Sequence, residues 1–299
     1  MTDQVERLKL RSMRDLAFRL GVSQKTLKTV AAHAGGYYRP FTVRRGAKVR
    51  QIDNPIGPLR LLQDRIHERL LRPLQLPEYL HGGIPGRSPK TNVSDHLGQT
   101  TIVTADVGKC FPSITPSHIF LAWRETLGCT PTISRLLTQL TSFKGRLPQG
   151  APTSTTLANL VLHVAGADVR RACATLGLTH TTFIDDLTFG GARAPEVLNH
   201  AVLTMRKAGF RLPHRKIRIM RAGDQKRVTG IVLGPKLTVP KEVKSRVRAA
   251  LHRLSVAKPG SKDREAAIRS ARGLIAHIGH VDRQAGERLK RMLNEIKQP

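Results

Sequence analysis

The sequence predicts an α+β chain, and three observations predict it. Apolar residues recur at helical spacing at both ends, β-branched or alternating runs occupy residues 37–52, 100–104 and 179–190, and turn residues punctuate the joins. With 299 residues, 39% of them hydrophobic, the chain has room for one large domain or two to three small ones and can bury a sizeable core.

Residues 1–35 are helical in pattern, with Leu16, Leu20, Leu27 and Val30 as apolar positions, a break at Gly21 and Ser23 as an N-cap. The stretch LAFRLGVSQKTLKTV fits either a helix-turn-helix that reads DNA or two packed helices with no base readout. From Tyr37 to Ile52 apolar and basic residues alternate around Gly46, which predicts a hairpin with Arg44, Lys48 and Arg50 on one face. Asn54, Pro55, Gly57 and Pro58 predict a loop, and Leu62, Ile66, Leu70 and Leu71 an amphipathic helix after it. The glycine-rich HGGIPGRSP leads into a short helix expected around Asn92 to His96. A strand over Thr100 to Thr104 ends near Asp106, and THTTFIDDLTFGG reads as two strands with Asp185 and Asp186 at their turn. A helix is expected from Thr155 to Ala172. From Lys241 onward three helical patterns follow, the first striped by Val243, Val247, Leu251 and Leu254 and the last by Leu289, Met292, Leu293 and Ile296.

The charge narrows the function. Lysines and arginines number 51 against 21 aspartates and glutamates, a net +30, and the excess is spread along the chain. Such a protein repels itself unless a polyanion neutralises it, and nucleic acid is the commonest one of that capacity. No apolar run approaches the ~18 residues of a spanning helix and no signal-peptide core is present, so a cytoplasmic protein without a membrane partner is expected. Cys110, Cys129 and Cys173 form no C-x-x-C pair and are expected to be reduced packing residues.

Carboxylates at strand ends are expensive unless a cation or donor pairs with them. Adjacent aspartates in an apolar hairpin, 79 residues after a third at another strand end, suggest a divalent metal. In so basic a frame, with no Cys/His or Ser/His pattern, they point to two-metal phosphoryl chemistry, for which Mg²⁺ suits the oxygen ligands.

These residues also match a known family. Asp106 with Phe111, LPQGAPTS at 147–154 and FIDD at 183–186 stand in the order and spacing of polymerase motifs A, B and C of reverse transcriptases, and GFRLPHRK and VTGIVLG look like motifs D and E. More narrowly, the chain resembles bacterial retron reverse transcriptases, whose N-A-x-x-H box appears as Asn92-Val93-Ser94-Asp95-His96, with Val for Ala, and whose V-T-G triplet is intact at Val228-Thr229-Gly230. Phe183 and Ile184 depart from the family's Tyr and small residue. Loss of the hydroxyl removes one hydrogen bond near the primer terminus, so fidelity or processivity is at stake while both carboxylates remain.

The resemblance implies a right-hand polymerase: N-terminal helices over 1–35, fingers and a palm of antiparallel sheet flanked by helices over 36–235, and a helical thumb over 236–299. It implies Asp106, Asp185 and Asp186 as the catalytic metal triad with the Val107 carbonyl as a further ligand, and Phe111 as a steric gate against ribose. Gln149 and Gly150 would line the nucleotide, Lys48 and Arg50 would hold its triphosphate, and Lys216 would protonate pyrophosphate. Asn92 and His96 would be structural or touch RNA. Arg246, Arg248, Arg253, Arg288 and Arg291 would track a duplex, and residues 241–299 indeed carry a local +9.

The implied reaction is RNA-templated DNA synthesis. A structured non-coding RNA would be template and primer, a 2′-hydroxyl would start the chain and give branched RNA-linked DNA, and an effector protein would join in antiphage defence. No RNase H segment is expected. The rivals are a group II intron or diversity-generating type reverse transcriptase and, from another class, a DNA-binding regulator using residues 16–30.

Overall fold

The computed structural model describes residues 5–46, 48–258 and 260–297. Helices at Met13–Leu20 and Gln24–Ala32 open the chain, capped by Ser12 and Ser23, whose hydroxyls accept from Asp15 N–H (3.1 Å) and Thr26 N–H (3.0 Å). Gly21, at φ +64°, closes the first in the left-handed conformation that glycine adopts without strain. Leu16, Leu20, Leu27 and Val30 are all buried, as the pattern requires. Helix does not extend through residues 5–12. There Leu8 donates its N–H to the Leu127 carbonyl at 2.9 Å, which ties that stretch to a distant loop. The turn between the two helices is held from outside: Arg65 donates to the carbonyls of Leu20 and Gly21, and Arg69 to that of Arg19. The pair is thereby part of the body it precedes, as packed helices would be.

The ribbon consists of β1 (Tyr38–Arg45) and β2 (Lys48–Pro55), with Gly46 at φ +58° in the turn. Val43 stands opposite Arg50 and Arg44 opposite Val49. Residues directly opposite share a face and neighbours along a strand alternate, so Arg44 lies on the other face from Arg50. That corrects the expected Arg44–Lys48–Arg50 face; the side chain of Lys48 lies outside the described residues. The loop expected at 54–58 shrinks to Ile56, because Asn54 and Pro55 still pair with β1 and the next helix, Gly57–Ile66, starts at once. That helix continues through a π-turn at His67–Leu71, and Leu62, Ile66, Leu70 and Leu71 are buried. The short helix lies at Pro89–Ser94, earlier than expected, because Ser88 and Thr91 form a reciprocal capping box around Pro89.

Next comes the four-stranded antiparallel sheet. Its strands are β3 (Ile102–Asp106), β4 (Thr179–Phe183), β5 (Asp186–Gly190) and β6 (Arg218–Met220), in the order β4-β5-β3-β6. Val103, Ala105, Leu187 and Phe189 join the main core with residues of the helices Ser154–Ala165 and Ala194–Lys207. The single helix expected over 155–172 is two, Ser154–Ala165 and Ala167–Thr175, interrupted at Gly166.

A small hairpin, β7 (Lys226–Val228) and β8 (Ile231–Leu233), precedes the helices Lys241–Val256, Lys262–Val281 and Arg283–Lys297. Val247, Leu251 and Leu254 are buried, whereas Met292 is 43% exposed and drops out of the expected stripe. These helices share a second core with Val93, Ile102, Met220, Val228 and Ile231, so they are rooted on one edge of the sheet. All three cysteines are buried and free. Among the described residues no helix is long and apolar enough to cross a membrane.

Candidate active site

Strand register brings the carboxylates together. Asp106 ends β3 directly opposite Asp186, the first residue of β5, while Asp185 occupies the two-residue turn between Phe183 and Asp186. Val107 donates its N–H to the Asp185 carbonyl at 2.9 Å, fastening that turn to the end of β3. Ile184 holds φ +57°, a conformation that a β-branched residue adopts only where its surroundings enforce it. Because side chains alternate along strands, Phe183, Asp186 and Asp106 share one sheet face with a second row, Thr181, Thr188, Thr104 and Arg218.

The electrostatics are those of crowded anions. Burial, then the neighbouring carboxylates of Asp185 and Asp106, push Asp186 up to about 7. Asp185 is raised for the same reasons, and the positive charges of Lys216 and Arg50 oppose the rise. Lys216 makes an ion pair through Nζ with Asp106 Oδ1. The charge of Arg50 on the ribbon is thus felt at Asp185, while Lys216 is in direct contact with Asp106. Among the described residues no three acidic, histidine or cysteine side chains form a ready-made cation cage. The donor set nonetheless fits a divalent cation: all its atoms are hard oxygens, their mutual repulsion is what a cation relieves, and a magnesium shell is normally completed by water and substrate phosphate. The thiol of Cys110, raised chiefly by burial and further by Asp185 and Asp106, stays protonated beside them.

The other expected residues lie on separate elements. Phe111 is half-buried against the main core in the short helix Cys110–Ser113. Gln149 accepts the Asp53 N–H at 2.8 Å through its carbonyl, which seats the ribbon on the Gln149–Gly150 loop. Gly150 holds φ +106°, and a Cβ there would lie 2.7 Å from Ile52 Cγ2, so only glycine fits. Arg246, Arg248, Arg253, Arg288 and Arg291 are all exposed on the C-terminal helices.

Asn92 and His96 contradict the RNA-contacting reading. Both have no exposed surface. His96 Nε2 shares a 2.7 Å hydrogen bond with Thr181 Oγ1, in the row behind the carboxylates, and the helix that carries Asn92 packs against both β4 and β8. That hairpin turns through Thr229 (φ +46°) and Gly230 (φ +82°), and the Thr229 hydroxyl donates to the Pro89 carbonyl at 3.4 Å. The two sequence boxes are therefore one packed unit.

Sequence reasoning missed two supports. Asp53, 1% exposed, accepts from Arg146 Nη2 (3.1 Å) and Gln51 Nε2 (3.1 Å); its signal was a lone acid in a basic ribbon. Arg87 donates to the carbonyls of Leu76 (2.8 Å), Pro77 and Leu80, and nothing in the sequence distinguished it from other arginines.

Comparison with known proteins gives the same direction. The family described as reverse transcriptase (RNA-dependent DNA polymerase) matches residues 44–244. The chain is 30% identical to the retron Mx65 reverse transcriptase of Myxococcus xanthus, over 94% of this chain and 71% of that one. It is 28% identical to the retron Mx162 reverse transcriptase of the same organism, over 96% and 67%. With the retron Ec86 reverse transcriptase of Escherichia coli it shares 26% identity over 96% and 90% of the two chains.

Proposed function

Because the chain belongs to the reverse transcriptases, and among them to the retron enzymes, we propose that Asp106, Asp185 and Asp186 are the catalytic carboxylates of an RNA-directed DNA polymerase that copies a structured retron RNA. The polymerase activity follows from the family, as does dependence on a divalent metal; the assignment to residues is ours. One observation carries it: β3–β5 pairing sets Asp106 opposite Asp186, with Asp185 in the adjoining turn, inside a chain of net +30.

Mg²⁺ held by these carboxylates and the Val107 carbonyl would lower the pKa of the attacking hydroxyl and stabilise the pyrophosphate leaving group. Arg50, with Lys48 beside it in sequence, grips the triphosphate of the incoming deoxynucleotide. Gln149 and Gly150 line its pocket, and the Phe111 ring fills the volume a ribose 2′-hydroxyl would need. Lys216 neutralises Asp106 before the substrate arrives and then gives a proton to pyrophosphate. The C-terminal arginines follow a duplex backbone, while His96 ties the segment after the short helix to β4. We further assign the chain a dedicated non-coding RNA as both template and primer, 2′-hydroxyl priming that leaves DNA branched from RNA, and an effector protein in antiphage defence; membership of the retron group supports these.

The test combines a variant with an extraction. Asp185→Asn with Asp186→Asn abolishes synthesis and leaves RNA binding nearly intact, because the basic surface carries affinity and the carboxylates carry chemistry. Full synthesis by that double variant would sink the assignment. Nucleic acid extracted from the native protein and treated separately with RNase and DNase yields a short DNA joined to RNA; RNA alone would argue against the branched product.

A further inference from the structure

The catalytic turn rests on a backbone strap from another part of the chain. Residues 79–81 run along the outer edge of β4: Leu80 forms a parallel bridge with Thr182, His81 donates its N–H to the Thr182 carbonyl at 2.8 Å, and Thr182 donates to the Tyr79 carbonyl at 2.8 Å. The strap then passes under the turn itself. A Cβ on Gly82 would lie 2.6 Å from the backbone N of Ile184 and 3.0 Å from the carbonyl carbon of Phe183, besides colliding with the Ile184 side chain. Backbone cannot yield as a flexible side-chain tip can, so the turn and the strap are in contact that only glycine permits.

The strap is fixed independently of the turn. Asn159, buried in the helix Ser154–Ala165, donates from Nδ2 to the Gly82 carbonyl at 2.8 Å. His81 is tied by Nδ1 to Thr91 Oγ1 (2.9 Å) and by Nε2 to Asp95 Oδ2 (3.1 Å). Behind it, the planar fork of Arg87 gathers four carbonyls of the preceding loop, those of Leu76, Pro77, Glu78 and Leu80, a task for which its rigid donor geometry suits it. A left-handed isoleucine persists only where its surroundings enforce it. The two-residue hairpin loop calls for that conformation, and the backbone that lies against it is that of Gly82.

We propose that Gly82, held by Asn159 and by the loop that Arg87 closes, is the positioning residue for Asp185: it props the strained Ile184 turn and so sets the height of the carboxylate against Asp106 and Asp186. This rests on the reading of Asp185 as a catalytic carboxylate. Since misplacement by about 1 Å can cost on the order of 10²-fold in rate, a methyl group at position 82 acts on the chemical step and leaves substrate binding alone.

The experiment compares Gly82→Ala, Asn159→Ala and Arg87→Lys with Asp185→Asn, all in the full chain. The readouts are kcat and KM for deoxynucleotide, affinity for template–primer RNA, melting temperature, and binding of Mn²⁺ alone followed by its electron paramagnetic resonance. Gly82→Ala is expected to lower kcat by about 10²-fold and weaken Mn²⁺ binding, with KM and RNA affinity unchanged. Should that variant not fold, Asn159→Ala and Arg87→Lys carry the test, with smaller losses of kcat and Mn²⁺ binding in the same pattern. Wild-type kcat and Mn²⁺ binding in the folded variants, beside an inactive Asp185→Asn, would overturn the role of the strap alone. Loss of kcat and RNA affinity together, in step with melting temperature, would overturn it in favour of a merely structural role. An active Asp185→Asn would instead overturn the reading of Asp185.

Discussion

Arg146→Ala should damage the seat of the ribbon as much as the stability of the fold. Asp53 is 1% exposed and takes hydrogen bonds from Arg146 Nη2 at 3.1 and 3.2 Å and from Gln51 Nε2 at 3.1 Å. Removing one partner of a buried pair leaves the other charge uncompensated and typically costs about 3–5 kcal/mol. The Arg146 side chain is 27% exposed, so water can follow it out, and Gln51 remains; the lower end, about 3 kcal/mol, is the better expectation. For a chain of 299 residues, with an unfolding entropy of about 2.1 cal/mol/K per residue, that corresponds to a fall in melting temperature of about 5 °C. Because the next backbone link is the Asp53 N–H to the Gln149 carbonyl, the ribbon bearing Arg50 should also loosen against the nucleotide loop. The KM for deoxynucleotide should then rise more than kcat falls. Adding Asp53→Asn removes the charge that lacks a partner and should restore most of the lost stability. A fall below about 2 °C in the single variant, or a double variant no more stable than the single, would refute the account.

Phe111→Ala should admit ribonucleotides, measured as the ratio of ribo- to deoxynucleotide incorporation; an unchanged ratio would return the ring to a packing role. His96 makes folding acid-sensitive. Burial, with smaller contributions from His180 and His81, lowers it to about 4, so between pH 6.5 and 4 the unfolded chain binds the extra proton and stability falls with pH by up to about 3 kcal/mol. His96→Gln should flatten that segment of a denaturation-versus-pH curve, and an unaltered slope would count against it. Arg288→Glu with Arg291→Glu should weaken RNA binding and reduce the slope of log affinity against log salt by about 1–2, whatever the RNA sequence. Equal slopes would remove those arginines from the phosphate-tracking surface.

How far the site could be read from the chain depended on the range of the forces that build it. Asp106, Asp185 and Asp186 were legible because a β-branched run, a turn and a carboxylate lie within a few residues of one another, and pairing the strands does the rest. The face of Arg44 was not, since the true pairing of the ribbon sets Arg44 opposite Val49 and a shift of a single residue exchanges the faces. The helix expected over 155–172 failed at a single residue, Gly166, whose local cost a periodic apolar pattern does not display.

Burial of polar residues was the least legible property of all. Asn92 and His96 look like any solvated pair at helical spacing until distant elements arrive: β4 and β8 pack on the helix of Asn92, and Thr181 supplies the partner for His96. The same holds for Gly82. In sequence it is the first of three glycines in HGGIPGRSP, and only the arrival of Ile184 above it converts that absence of a side chain into a requirement. Residues that hold a catalytic group in place are thus recognised by what lies against them, and the carboxylates they serve by their own chemistry. Variation at positions such as Gly82, Asn159 and Arg87 should therefore alter rate without altering any group that touches substrate, which is why kcat must be measured separately from KM and from RNA affinity.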